Sequence, residues 1–421
     1  MNYKLFNIRS FSLYIFGGLI TLMGDELLTI ALALYVLKLS GSASQYAGVL
    51  TLSALPSILL APFAGAIVDR VNKNRLIVLL DFLRGIALIP LYLYSLHHVI
   101  SLWDIYALAL FFGICDSFYQ PAAMTLLPAI VDKEQIVSGN LINKLFWQVG
   151  KIIAPAFAVL LYGWKGLSLV LLLDAVTFFV TGVMNLFIKL RKIQTETADN
   201  RIMSFVKDGF RLYRDKEILS ISINGMLTHM LILPLFLIGL PFLVKSVFAG
   251  SDPQYGTVQS FYSAATLFAF VTVPLVNKSF KDLKALNVGM YGMLGAILLL
   301  FLIPIPGINH SMHHHSVVMI TLLSLISFLF SLCFSTYGVF FTSFNQKKVG
   351  NAYLGRFYAV LFMLFAIGRV IGNSIYGALF DTRILVLPIA LACVGMILKL
   401  LLNYAVTSVT PVEPVQGKLN S

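Results

Sequence analysis

Twelve runs of mostly apolar residues, each about as long as the 20 residues that cross a hydrocarbon core, follow one another along the chain. They extend approximately over 12–37, 46–68, 76–95, 101–122, 141–162, 167–189, 218–246, 255–276, 285–304, 316–342, 356–380 and 383–406. A chain so patterned has few folds open to it. Of its 421 residues 59% are apolar and only 11% are charged, against roughly 25% charged in a soluble protein. A soluble enzyme, a secreted disulfide scaffold and a disordered chain are therefore excluded. A transmembrane barrel is excluded too, because its strands would alternate polar and apolar residues. The expected fold is an all-α polytopic membrane protein of twelve transmembrane helices. The first run is too long for the apolar region of a signal peptide and is kept as a span.

The longest polar stretch, Lys189 to Glu217, lies between spans 6 and 7. It predicts an N-terminal six-helix half over 1–190, a cytoplasmic linker over 191–217, a C-terminal half over 218–408 and a tail over 409–421. Ile202, Phe205, Val206, Phe210 and Tyr213 have helical spacing, so an amphipathic surface helix is expected within the linker.

The formal net charge is +12, and its distribution decides what it means. With both termini cytoplasmic, the inner loops collect Lys4, Arg9, Arg70, Lys73, Arg75, the linker cluster, Lys278, Lys281, Lys284, Lys347, Lys348 and Arg356. The outer loops hold only Lys38, Lys165, Lys245 and Arg383. This asymmetry is the positive-inside signal, spread over every inner loop. No single basic face is left for nucleic acid. Cys115, Cys333 and Cys393 all fall inside apolar runs and read as packing residues.

The halves carry traces of duplication. Gly41-Ser42-Ala43-Ser44-Gln45-Tyr46-Ala47 leads into span 2, and Gly250-Ser251-Asp252-Pro253-Gln254-Tyr255-Gly256 leads into span 8. Span 5 holds Gly150-Lys151-Ile152-Ile153-Ala154, and span 11 holds Gly368-Arg369-Val370-Ile371-Gly372. Parallel repeats of this kind belong to transporters that bind substrate near the midplane and rock their halves.

After span 2 the chain reads Gly65-Ala66-Ile67-Val68-Asp69-Arg70-Val71-Asn72-Lys73-Asn74-Arg75. This resembles the loop signature of the major facilitator superfamily, with Asn72 where the family has glycine and a left-handed turn. Phe112-Gly113, Pro121-Ala122, Leu127-Pro128, Val131, Glu134-Gln135, Asn140, Gly150–Pro155 and Asp174–Phe178 resemble the drug/proton antiporter branch with macrolide-efflux and enterobactin-type siderophore exporters. The resemblance covers roughly residues 1–190 and thins beyond. It implies the pseudo-symmetric major facilitator fold, with Gly65, Asp69, Arg70, Lys73 and Arg75 as a gate loop. Span 4 departs from many proton-coupled members in having Cys115-Asp116-Ser117 instead of an arginine, and span 5 has Ala154-Pro155 in place of Gly-Pro.

Eight ionisable residues lie well within spans: Asp25, Glu26, Asp81, Arg84, Asp116, Lys151, Asp174 and Arg369. Each costs about 2.5–3.5 kcal/mol on an insertion scale, so each must be paired, protonated or in a water-filled cavity. Asp25 and Glu26 in span 1 point about 100° apart and cannot share one partner. The resemblance places Asp116 opposite Asp25. Asp25, Glu26 and Asp116 are the candidate proton/substrate-coupling carboxylates, in that order. Asp81 and Arg84, three apart, are expected to pair structurally. Lys151 and Arg369 match between the halves, as cations that either switch carboxylate partners or hold them statically, Asp174 being one such partner. Asn224, His229 and Tyr337 are candidate cavity residues, though a hydrogen-bonded interior histidine is the commoner case for His229.

His310-Ser311-Met312-His313-His314-His315 reads as a flexible outer loop, incidental or weakly metal-scavenging, and not as a defined tetrahedral metal site. No ATP-binding loop, nucleophile elbow or zinc helix is present, so no catalytic residue, cofactor or metal is expected. The expected protein is a bacterial inner-membrane transporter working as a monomer, without ATP or nucleic acid. It would export a lipophilic drug, macrolide or siderophore-like metabolite in exchange for protons. The rival readings are a lysophospholipid flippase or proton-coupled importer and, more distantly, a non-transporting receptor or scaffold.

Overall fold

A computed structural model describes residues 3–68, 71–124, 126–132, 135–190, 209–280, 282–349 and 354–407. Helix dominates them, and no strand occurs among the described residues. The elements are α1 Arg9–Ser40, α2 Ala43–Val68, α3 Lys73–Ser95, α4 Leu102–Met124 and α5 Ile136–Leu186. They continue as α6 Lys216–Val247, α7 Asp252–Ser279, α8 Asp282–Leu299, α9 Pro306–His314, α10 Ser316–Val349, α11 Leu354–Asp381 and α12 Val386–Thr407. Eleven helices among the described residues are long and apolar enough to cross a membrane.

The twelfth span is inside α5. Its 51 residues would reach about 75 Å if straight, more than twice the hydrocarbon thickness. At Gly166 the backbone turns to φ 65°, ψ −156°, a conformation only glycine takes without strain. The chain reverses there, so α5 carries spans 5 and 6 with the break where the sequence puts it.

Two compact units result, one drawn from residues 1–35 and 59–202, the other from 36–58 and 203–421. In the first, α1 packs against the first part of α5: a Cβ at Gly150 would lie 2.9 Å from Leu19 Cδ1 and Leu22 Cδ2. In the second, the equivalent Gly368 of α11 lies against the Met226 carbonyl of α6, 2.7 Å from where its Cβ would be. The duplicated glycines thus seat equivalent helix pairs, small residues letting backbones approach closely.

Helix α6 is irregular. π-helical turns occupy Thr228–Ile232 and Leu243–Val247, with Pro234 and Pro241 in the helical stretches between them. Proline lacks the N–H that would bond the preceding turn, so the ladder widens and carbonyls are freed. Tyr376 of α11 donates its hydroxyl to the Leu231 carbonyl of this irregular stretch.

Two local expectations are corrected. Asn72 does not make a left-handed turn: at φ −68°, ψ 106° it is extended, and its side chain caps α3 by accepting from the Arg75 N–H at 3.1 Å. The histidine-rich stretch is not an open loop, because Pro306–His314 is helical. Most of the expected linker helix lies outside the described residues. Its last residue, Tyr213, is buried with its ring stacked on Phe357 and its hydroxyl donating to the Phe357 carbonyl at 3.0 Å. The 409–421 tail also lies outside the described residues.

Candidate functional site

In the first unit, α1, α3, α4 and the later part of α5 bring charged side chains together. Arg84 of α3 is 1% exposed, and its guanidinium donates to the Asp116 carboxylate of α4. Three rings flank the cation: Tyr119 at 4.8 Å, Phe178 at 5.5 Å and Phe112 at 5.8 Å. Aromatic faces attract a cation and repay part of its lost hydration. Asp116 itself is 48% exposed, so the pair has one buried and one accessible member.

Asp81 is not the partner of Arg84, contrary to expectation. It is fully buried and accepts from the Asn185 amide at 2.9 Å. Asp174 is also fully buried; Thr177 donates to its carboxylate at 3.3 Å, and its Oδ2 has no hydrogen-bond partner among the described residues. Asp25 is half-buried on α1, within Coulombic reach of Asp174, Arg84, Asp116 and Glu26. Gly24 makes this closeness possible, since a Cβ there would collide with Asp174 and Thr177. Glu26 turns to a different neighbour, Lys151 of α5, at 3.7 Å. Lys151 therefore pairs with Glu26 and not with Asp174.

The cluster is lopsided. Arg84 contacts Asp116 and lies within Coulombic reach of Asp25, Asp81 and Asp174, while Glu26 has its own lysine. Among the described residues no group of three or more acids, histidines or cysteines is arranged to hold a metal. Of the gate loop, Asp69 and Arg70 lie outside the described residues. Gly65 is a position in α2, while Lys73 and Arg75 occupy the first turn of α3.

The second unit has a separate polar core. Asn224 of α6 donates to the Lys399 carbonyl of α12 at 2.9 Å and accepts from the Tyr337 hydroxyl of α10 at 2.9 Å. The Lys399 ammonium donates to Thr228 and lies 4.3 Å from the Tyr337 ring centroid. Asn224, Tyr337 and Lys399 are all buried. His229 bonds through Nδ1 with the Gly225 carbonyl at 3.0 Å and stacks on Phe365 at 4.1 Å. Arg369 and Lys399 are within its Coulombic reach. Sequence reasoning puts Lys399 within a span but assigns no role to it or to Thr228. The signal was a lone lysine in an apolar run.

Comparisons with known proteins agree with this architecture. A family model described as Major Facilitator Superfamily matches residues 14–410. Macrolide efflux protein A of Streptococcus pyogenes is 20% identical over 378 residues, covering 87% of this chain and 88% of that protein. The staphyloferrin A transporter of Staphylococcus aureus (strain NCTC 8325 / PS 47) is 25% identical over 325 residues, 76% of this chain and 77% of that one. Among solved structures, the nucleoside transporter NupG matches with TM-score 0.72 at 14% identity, covering 97% of this chain and 99% of that chain. A bacterial homologue of the iron transporter ferroportin, inward-facing, matches with TM-score 0.70 at 14% identity over 94% and 98%. Such structural likeness speaks for the fold, and the family model speaks for descent: the chain belongs to the Major Facilitator Superfamily and is a multi-pass membrane transporter.

Proposed function

We propose that this transporter exports a lipophilic small molecule in exchange for protons, by alternating access, from a bacterial cytoplasm that holds both its termini. The carrying observation is the charge imbalance around Arg84. One guanidinium pairs with half-exposed Asp116 and has Asp25, Asp81 and Asp174 within Coulombic reach. In a low-dielectric interior that surplus of acid is balanced by bound protons or by a cationic ligand. Competition between the two for the same carboxyls is how an exchanger couples opposite fluxes. Asp25 is assigned as the principal coupling carboxyl, with Asp116 and Glu26 beside it. The macrolide-efflux relative supports export, and a macrolide as one kind of substrate.

Everted membrane vesicles test this. An imposed pH gradient, acid inside, is expected to drive uptake of a lipophilic cationic drug, and Asp25→Asn to abolish that drive while leaving the protein in the membrane. No gradient-driven uptake, together with unchanged transport in Asp25→Asn, overturns the reading. Transport that ignores the gradient points instead to a flippase.

A further inference from the structure

Between α8 and α10 the chain forms helix α9, and its construction places two histidines side by side. Ile305 enters in an extended conformation and Pro306 occupies the first turn, where its missing N–H costs nothing. Met312 is 1% exposed and anchors the inner face. Asn309 reaches back to the Ile303 carbonyl at 3.2 Å, and Ser311 to the Gly307 carbonyl at 2.9 Å. Residues four apart on a helix share a face. His310 and His314 do so here, both exposed, with ring centroids 4.2 Å apart. His313 is turned aside against the Phe248 ring at 4.8 Å, and His315 lies past the helix end.

The surroundings suit a cation. No Lys, Arg, Asp or Glu occurs between Lys284 and Lys347, so no charged residue of this stretch repels an incoming ion or occupies the imidazoles. The pair sits in the last turns of α9, where unpaired carbonyls and the helix dipole favour positive charge. Paired imidazoles at i and i+4 on one helical face hold Zn²⁺ in zinc helices. Imidazole suits Zn²⁺, Cu²⁺ and Ni²⁺, whereas Ca²⁺ and Mg²⁺ need oxygen ligands that are absent from this helix face.

We propose that His310 and His314 form a two-imidazole site for a divalent transition cation of the Zn²⁺, Cu²⁺ or Ni²⁺ type, water completing the coordination. No third acid, cysteine or histidine of the described residues converges on the pair. The site is accordingly open and exchangeable, unlike a closed structural zinc centre. A bound ion would bridge adjacent turns of α9 and stiffen the connection between α8 and α10.

The test is calorimetric titration of the full-length protein, in detergent and without a polyhistidine tag, with NiCl₂ and separately ZnCl₂. One ion per chain is expected. His310→Ala or His314→Ala should weaken binding at least about tenfold, equivalent to ~1.4 kcal/mol, and the double variant should abolish it. His313→Ala/His315→Ala should bind like wild type. Both paired rings are exposed, and His310→Gln/His314→Gln provides a polar second variant whose metal-free unfolding temperature reports that the fold is kept. The proposal is overturned if wild type binds neither ion or if binding survives the double variant. Loss of binding on removing His313 and His315 alone also overturns it.

Discussion

The Arg84 guanidinium crosses from α3 to α4 to meet Asp116, passing over Asp81 one turn away on its own helix. Two features explain the choice. Asp81 is already engaged by Asn185 of α5, and the rings of Phe112, Tyr119 and Phe178 draw the cation toward α4. The result ties a fully buried cation to an acid that water or a ligand can reach. Any ligand or proton that changes the charge on Asp116 therefore acts directly on the interior of the first unit.

Removing either member of the pair should destabilise the first unit. Asp116→Asn leaves Arg84 buried without the carboxylate it bonds, and breaking a buried pair costs about 3–5 kcal/mol in closed interiors. Half-exposure of Asp116 puts the expected loss at the lower end. Arg84→Met leaves Asp116 free to be hydrated but takes the one nearby cation from buried Asp81 and Asp174, so it should destabilise as well. Thermal unfolding in detergent at one fixed scan rate compares them. If Asp116→Asn unfolds at the wild-type temperature, the pair contributes no stability.

Lys399 yields the opposite pattern. Its ammonium has a hydroxyl and a ring, Thr228 and Tyr337, as its contacts and no carboxylate among them. Replacing a buried charge by an apolar chain of similar length is often neutral or stabilising, so Lys399→Met should unfold at or above the wild-type temperature. Thr228→Val, which keeps the amine and deletes its acceptor, should cost about 1–3 kcal/mol. A stable Thr228→Val with a collapsed Lys399→Met would show that the amine has another role.

What the sequence disclosed and what it hid follow from range. Twelve apolar runs admit almost no other architecture, and Gly166 falls in the break between the fifth and sixth. The acids of α1 and α4 stood out because charge inside an apolar run is costly. Their partners were hidden because pairing depends on which helices touch: Arg84 and Asp116 are 32 positions apart, while Asp81 is three away. Asn72 misled for another reason, since the same short amide serves left-handed turns and helix N-caps. The histidine stretch read as a loop because it is polar, although Pro306 at its start is a helix-opening signal.

Gly24 is a packing requirement of the carboxylate cluster. Its missing side chain lets α1 approach Asp174 and Thr177, whereas Gly18, two turns earlier, has only Trp147 Nε1 at 3.9 Å from a would-be Cβ. Gly24→Ala should cost about 1–3 kcal/mol through overpacking, and Gly18→Ala should be tolerated. Purified yield and unfolding temperature separate the two. Equal behaviour would mean that α1 can shift without penalty, and that Asp25 is less tightly positioned than its neighbours suggest.

Asp381, the last residue of α11, caps the start of α2 within the second unit. Its carboxylate accepts from Ser42 Oγ at 2.7 Å, from the Ala43 N–H at 2.6 Å and from the Ser44 N–H at 3.2 Å. One turn earlier Gly377 lets the helices touch, since a Cβ there would lie 2.7 Å from Ala47 Cβ and 2.9 Å from Ser44 Cα. A carboxylate at a helix N-terminus satisfies free N–H groups and faces the positive end of the dipole. Asp381→Ala should therefore cost about 0.5–2 kcal/mol, and Asp381→Asn, which keeps an acceptor, should cost less. Hydrogen exchange followed by mass spectrometry on peptides spanning residues 40–48 reads this directly. Faster exchange in Asp381→Ala than in Asp381→Asn is expected. Unchanged exchange in both would show that solvent caps α2 equally well, and that the α11 end gives this junction no stability of its own.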